Sequence, residues 1–195
     1  MINMFKLKGF PLAVAMILLM LGIPARAELV SYGNGLVYDD VLDVTWTKDA
    51  NLAKTRKFGI VGIQDTGRMT WETAQRWIAA MNTANFKGFN NWRLWSAKDY
   101  ETGTLGCVQP SLCNKSELGH LFYEEGGLSP GSPITSSATL TSKFTGMMAN
   151  PYWSGSEVPS NLLRAYYFRA CIGAQNRTDK TTYLYVWPVR DGKPQ

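Results

Sequence analysis

The chain has 195 residues, with 20 Lys and Arg against 15 Asp and Glu, three Cys and a single His. An aromatic content of 12%, with seven Trp, excludes disordered, collagen-like and coiled-coil classes. Lys and Arg are scattered rather than blocked, so no electrostatic footprint for nucleic acid is present.

The first segment reads as an export signal. Lys6 and Lys8 precede a mostly apolar run from Phe10 to Ile23, and Ala25-Arg26-Ala27 follows as a small-x-small site. That run is shorter than the roughly 20 apolar residues of a membrane span. No Cys directly follows it, so no lipid anchor is expected. Cleavage after Ala27 is expected to leave residues 28–195 as one domain without a stable membrane anchor. Lys6, Lys8 and Arg26 fall before that point, so 17 basic and 15 acidic residues remain. The mature length supports a substantial core.

Gly35 to Thr47 reads as two short strands joined by an acidic turn, with Val, Tyr, Thr and Trp in the strands and Asp in the turn. The three Asp there lack the Gly and distal Glu of an EF-hand, so a turn is the better reading than calcium. A loop from Lys48 to Met69 leads to a helix capped by Thr70, with Glu72 in its first turn. Trp71, Ala74, Trp77, Ile78 and Met81 recur at helical spacing and form its core face. Gly88 and Asn90-Asn91 end this element. Trp92 to Trp95 reads as a strand, and Ser96 as the cap of a short helix reaching Tyr100 and Glu101. Ser116 to Tyr123 is a second helix. Glu125 to Asn150, rich in Gly, Ser, Thr and Pro, reads as a long loop. Strands are predicted from Tyr152, over Arg164 to Ala170 and over Thr182 to Val189, with the polar run Gln175 to Lys180 as a turn.

Three thiols allow three pairings. Cys107 and Cys113 close a small loop around Pro110, and a disulfide there would contribute roughly 2 kcal/mol. The expectation is that these two pair and that Cys171 stays reduced and buried. Zinc-motif spacing is absent, so no metal is expected. His120, on a predicted helix with no nucleophile elbow nearby, reads as structural. Glu124-Glu125, as sequence neighbours, point in different directions on a helix. No P-loop, dinucleotide fingerprint or metalloprotease helix appears, so no cofactor is expected.

Several segments in order resemble a known family. They are Gly35 to Asp39 with Val44 to Thr47, Asp49 to Ala53, Met69 to Ala74, Gly88 to Leu94, Ser116 to Tyr123, Tyr152 to Glu157 and Trp187 to Arg190. Together they resemble the Lcl C-terminal domain, a bacterial domain named after a collagen-like adhesin, over about Leu29 to Asp191. The resemblance implies an α+β, C-type-lectin-like fold: a small twisted antiparallel sheet, two helices and a long loop region bearing the ligand site. The family's Trp-Arg-Leu-Pro-Thr is altered here, since Trp95 and Ser96 follow Leu94. The calcium-binding triplets of true C-type lectins are missing, so calcium-dependent sugar binding does not carry over.

With no catalytic set, the resemblance points to an exported, non-catalytic binding module for a glycan or a protein surface. Trp95, Tyr100, Glu157, Asn161 and Arg164 are the expected ligand residues, the aromatic faces stacking on sugar and the polar groups bonding to it. A structural cell-surface role is one alternative. The other is an enzyme distantly similar to the formylglycine-generating oxidases, on the strength of Arg169-Ala170-Cys171 with Gln175, Asn176 and Asp179.

Overall fold

The computed structural model describes residues 28–105 and 113–194. The expected export signal and Cys107 lie outside them. The chain starts with three short strands, β1 (Leu29–Tyr32), β2 (Leu36–Asp39) and β3 (Val44–Thr47). The expected hairpin is β2–β3, in register from Leu36 opposite Thr47 to Asp39 opposite Val44. Its turn places Asp43 at φ 50°, a left-handed conformation that Asp tolerates better than most side chains. β1 was not expected from sequence and pairs antiparallel with β2 along its whole length.

Helix α1 (Trp71–Thr83) follows the long loop. Thr70 caps it, the side-chain oxygen accepting from the Thr73 N–H at 3.3 Å. All five residues predicted for its inner face are buried, and Thr73 joins them. The helix stops at Thr83, earlier than Gly88, because Asn85 turns the chain at φ 48°. Asn82 then clamps the helix to β4 (Trp92–Leu94): its amide donates to the Trp92 carbonyl at 2.8 Å and its carbonyl accepts from the Trp92 N–H at 2.7 Å. Replacing Thr70 with Ala should cost about 1 kcal/mol in urea unfolding, and Thr70→Ser should retain most of the stability. Equal losses in both variants would contradict the capping role.

No helix forms between Ser96 and Glu101. The Ser96 hydroxyl accepts from Lys98 N, and Asp99 Oδ1 accepts from the N–H groups of Glu101 and Thr102, so side chains satisfy the backbone in tight turns instead. The second helix begins as expected, with α2 (Glu117–His120) capped by Ser116, but then widens into a π-helical turn over Leu121–Glu125. The stretch expected as a long loop contains a 3₁₀ turn, Ile134–Ser136, and α3 (Ala138–Lys143). Its sparse apolar residues explain why: Ile134, Leu140 and Phe144 are each buried and tie the segment to the core.

The last strands are β5 (Pro151–Val158), β6 (Asn161–Arg169), β7 (Ala174–Asp179) and β8 (Pro188–Asp191). The polar run expected as a turn is thus β7, paired with β6 from Arg164 opposite Asp179 to Arg169 opposite Ala174. Conversely, Thr182 to Trp187 forms only isolated bridges, Leu184 with Met69 and Tyr185 with Tyr152. Two antiparallel sheets result, a five-stranded one in the order β1-β2-β3-β8-β4 and a three-stranded one in the order β5-β6-β7. The expectation of an α+β architecture with antiparallel strands is met, with two sheets in place of one and, among the described residues, one long α-helix with two short ones.

Strand alternation sends neighbouring residues into two cores. Leu36, Trp92, Leu94 and Trp153 pack with the inner face of α1. Val37, Trp46, Tyr152, Phe168 and Trp187 pack with Leu118, Leu121 and Phe122 of the second helical segment.

Candidate functional site

Asp39 ends β2 and opens the turn to β3. Its Oδ1 accepts from the backbone N–H groups of Val41 and Leu42, at 3.2 and 3.0 Å, which is what Asp does at a turn. The side chain is nevertheless fully buried, with Oδ2 turned inward. It faces α2.

Residue 119 of that helix is Gly, which lets the helix fold closely onto the preceding turn. A Cβ there would lie 1.6 Å from the Cys113 carbonyl oxygen, so no other residue fits without displacing the backbone. The next residue, His120, is 2% exposed and enters the π-helical turn. The Gly126 N–H donates to the Leu121 carbonyl five residues back, at 3.0 Å. This wider winding matters chemically: in an α-helix of 3.6 residues per turn, positions five apart diverge, whereas i→i+5 geometry brings them to one side. Glu125 thereby faces His120, and wide turns of this kind recur at functional sites.

The three side chains converge. His120 Nε2 is 3.7 Å from Asp39 Oδ2 and 3.5 Å from Glu125 Oε1. One ligand atom from each residue lies within 4.8 Å of the others, and this is the one such set of three among the described residues. Asp39 Oδ2, both His120 ring nitrogens and Glu125 Oε1 are buried without hydrogen-bond partners. Burial pushes the Asp39 carboxyl up to about 6, against the lowering pull of the Leu42 N–H and of His120. Burial draws His120 down, but the Glu125 and Asp39 carboxylates outweigh it and leave its pKa raised. Tyr100 covers the group, its ring edge-on to the imidazole at 5.6 Å between centroids. His120 is expected from sequence to be structural, with no metal, because nothing in the sequence brings Asp39 and Glu125 to it.

The five residues expected to bind ligand do not form one patch. Trp95 is fully buried and packs edge-on against Phe168 at 6.3 Å, so it offers no ring face to solvent. All seven Trp are buried, which removes the basis for a tryptophan stacking platform. Tyr100, 41% exposed, belongs with His120 instead. Glu157 lines a cleft of about 590 Å³ with Arg93, Lys98 and Leu105.

Glu157, Asn161 and Arg164 do share a neighbourhood at the β5–β6 hairpin. Asn161 lines a cleft of about 530 Å³ with Leu162, Leu163, Glu72, Asp179 and Lys180. Arg164 Nε pairs with Asp179 at 3.1 Å, and Lys180 pairs with Glu157 and, at 3.6 Å, with Glu72. Lys180 also sits 4.1 Å above the Trp71 ring. Leu162 and Leu163, which are not among the residues expected to bind ligand, are 64% and 78% exposed near the tip.

Cys171 is a free thiol in the turn between β6 and β7, and it is half-buried rather than buried. β6 ends at Arg169, so strand alternation does not extend to it. The expected Cys107–Cys113 pairing involves a residue outside the described ones.

The model for the Lcl C-terminal domain matches residues 35–190. The chain belongs to the Lcl C-terminal domain family. A comparison with curated proteins gives no match. The matched span runs from the start of β2 into β8, so the His120 cluster and the β5–β6 hairpin both lie inside this Lcl C-terminal domain. Among the described residues, no helix is long and apolar enough to cross a membrane.

Proposed function

We propose that this Lcl C-terminal domain is an exported, non-catalytic binding module of C-type-lectin-like fold that uses its β5–β6 hairpin to hold a protein surface. The observation that carries this reading is the adjacent pair Leu162 and Leu163, exposed beside the cleft rimmed by Glu72, Asp179 and Lys180. Two large apolar side chains exposed to water at one hairpin favour a partner that covers them, and the surrounding charges supply orientation. The export segment Lys6 to Ala27 and the family resemblance support the compartment and the fold. A glycan is the weaker ligand, because the aromatic faces that would stack on sugar are largely inside.

The test is binding of labelled protein to bacterial cell envelopes, before and after protease or periodate treatment. Protease should abolish binding and periodate should leave it. The double variant Leu162→Asp/Leu163→Asp should lose about 2 kcal/mol of apolar burial, roughly 30-fold in affinity. Its folding stability should stay within about 0.5 kcal/mol of the parent, since both positions are exposed. Binding that survives protease and is lost with periodate would replace the protein surface with a glycan. An unaffected double variant would remove the hairpin from the site.

A further inference from the structure

We propose that Asp39, His120 and Glu125 form a binding site for one divalent transition ion of the zinc class, a site that ties the β2–β3 turn to the second helical segment. Four buried polar atoms in one place without partners are unusual, because native proteins satisfy nearly all such groups. The distances distinguish an ion from a shared proton. A charge-assisted hydrogen bond between imidazole and carboxylate would close to about 2.7–2.9 Å. Here the separations are 3.5 and 3.7 Å. Zinc bound by nitrogen and oxygen at about 2.1 Å sets neighbouring tetrahedral ligands roughly 3.4 Å apart. Two of the three separations therefore match neighbouring ligands of one ion, and all three ligand atoms lie within 4.8 Å of one another.

Charge and donor type agree. Two carboxylates in a buried site carry two negative charges, which a divalent ion neutralises where one imidazolium would leave a deficit. One imidazole with two carboxylates suits zinc, manganese or iron(II). Calcium takes six to eight oxygens, which three buried groups with a ring nitrogen do not supply. The Asp39 carboxylate is held from behind, since its other oxygen takes the Val41 and Leu42 N–H groups. Such outer contacts orient a metal ligand. The ion would crosslink residues 81 positions apart in sequence, His120 and Asp39, and the π-helical turn would gain a purpose in aligning Glu125.

The experiment uses the purified protein after dialysis against a chelator. Calorimetric titration with Zn²⁺ should give one ion per chain and a higher thermal midpoint, and Ca²⁺ at the same concentration should give neither. Co²⁺ should give visible absorption bands that Zn²⁺ displaces. Glu125→Gln preserves shape and removes the charge. It should weaken Zn²⁺ by more than the roughly 10- to 100-fold that loss of an outer partner costs, and should quench the Co²⁺ bands. His120→Gln should do the same. If either variant unfolds, the parent's stoichiometry, its preference for Zn²⁺ over Ca²⁺ and the Co²⁺ spectrum still decide the matter. Failure of the parent to bind Zn²⁺, equal stabilisation by Ca²⁺, or Co²⁺ bands unchanged in folded Glu125→Gln would each overturn the site.

Discussion

Trp187→Ala is expected to lower the unfolding free energy by about 5 kcal/mol, which is comparable to the whole stability of many domains. Trp187 is fully buried where the two sheets meet. Its ring lies edge-on to Trp46 of β3 at 5.4 Å and to Phe144, just after α3, at 4.9 Å, and it tilts on Tyr152 of β5 at 5.7 Å. The indole N–H donates to the Thr47 carbonyl at 2.9 Å, across 140 residues of sequence. Truncation would empty a large volume among rings that cannot all collapse into it, and would leave the Thr47 carbonyl unpaired in the interior. Trp187→Phe keeps a ring but not the donor, and should recover more than half of the loss. Urea unfolding of the three proteins measures this. A loss below about 2 kcal/mol for the alanine variant would mean that the sheets are joined elsewhere.

Where a local period exists, the structure follows it. Trp71, Ala74, Trp77, Ile78 and Met81 announce α1 because a helix facing a core must repeat apolar residues with its own turn. Val, Tyr and Trp around an Asp-rich turn announce the β2–β3 hairpin for the same kind of reason. β7 is illegible because Ala174 to Asp179 is almost wholly polar, and it forms because β6 offers a free edge of backbone donors and acceptors. Thr182 to Trp187 misleads in the opposite sense. Its residues suit a strand, yet Leu184 to Trp187 are buried in the passage between the sheets, where only isolated bridges can form.

The candidate site was the least legible part. Asp39 carries the ordinary signature of a turn, and it does serve the turn with one oxygen while the other faces inward. His120 and Glu125 are five apart, a spacing that no α-helical reading would join. The faint signal was the sole His of the chain followed five residues later by an acid. Trp95 fails as a ligand residue for a related reason. It directly follows β4, whose Trp92 and Leu94 are both buried in one core, and the alternation carried one residue past Leu94 turns it into the other core.

Arg93→Ala is the second substitution with a large expected cost, about 4 kcal/mol at neutral pH. Arg93 lies on β4, opposite Val189 of β8, and reaches the start of α2. Its two terminal nitrogens donate to both oxygens of Glu117 at 2.8 and 2.7 Å, a bidentate pair. Glu117 Oε2 also accepts from the Ser96 N–H at 2.7 Å, so the carboxylate is fixed from two sides. Burial works against the guanidinium charge, but Glu117 and Asp191 outweigh it and raise its pKa. The side chain of Glu117 is 11% exposed and that of Asp191 is 71% exposed, so the two pairs differ in kind. Removing Arg93 strands a nearly buried carboxylate, whereas Asp191→Asn breaks only a solvated contact and should cost under about 1 kcal/mol. The double variant Arg93→Met/Glu117→Leu should recover most of the Arg93→Ala loss, because no charge is then left unpaired. A double-mutant cycle on unfolding free energies reads the coupling directly. Equal costs for Arg93→Ala and Asp191→Asn would show that Glu117 does not need its partner. Glu117 stands one helical turn before His120, so loosening this anchor should also weaken Zn²⁺ binding in Arg93→Ala and leave it unchanged in Asp191→Asn.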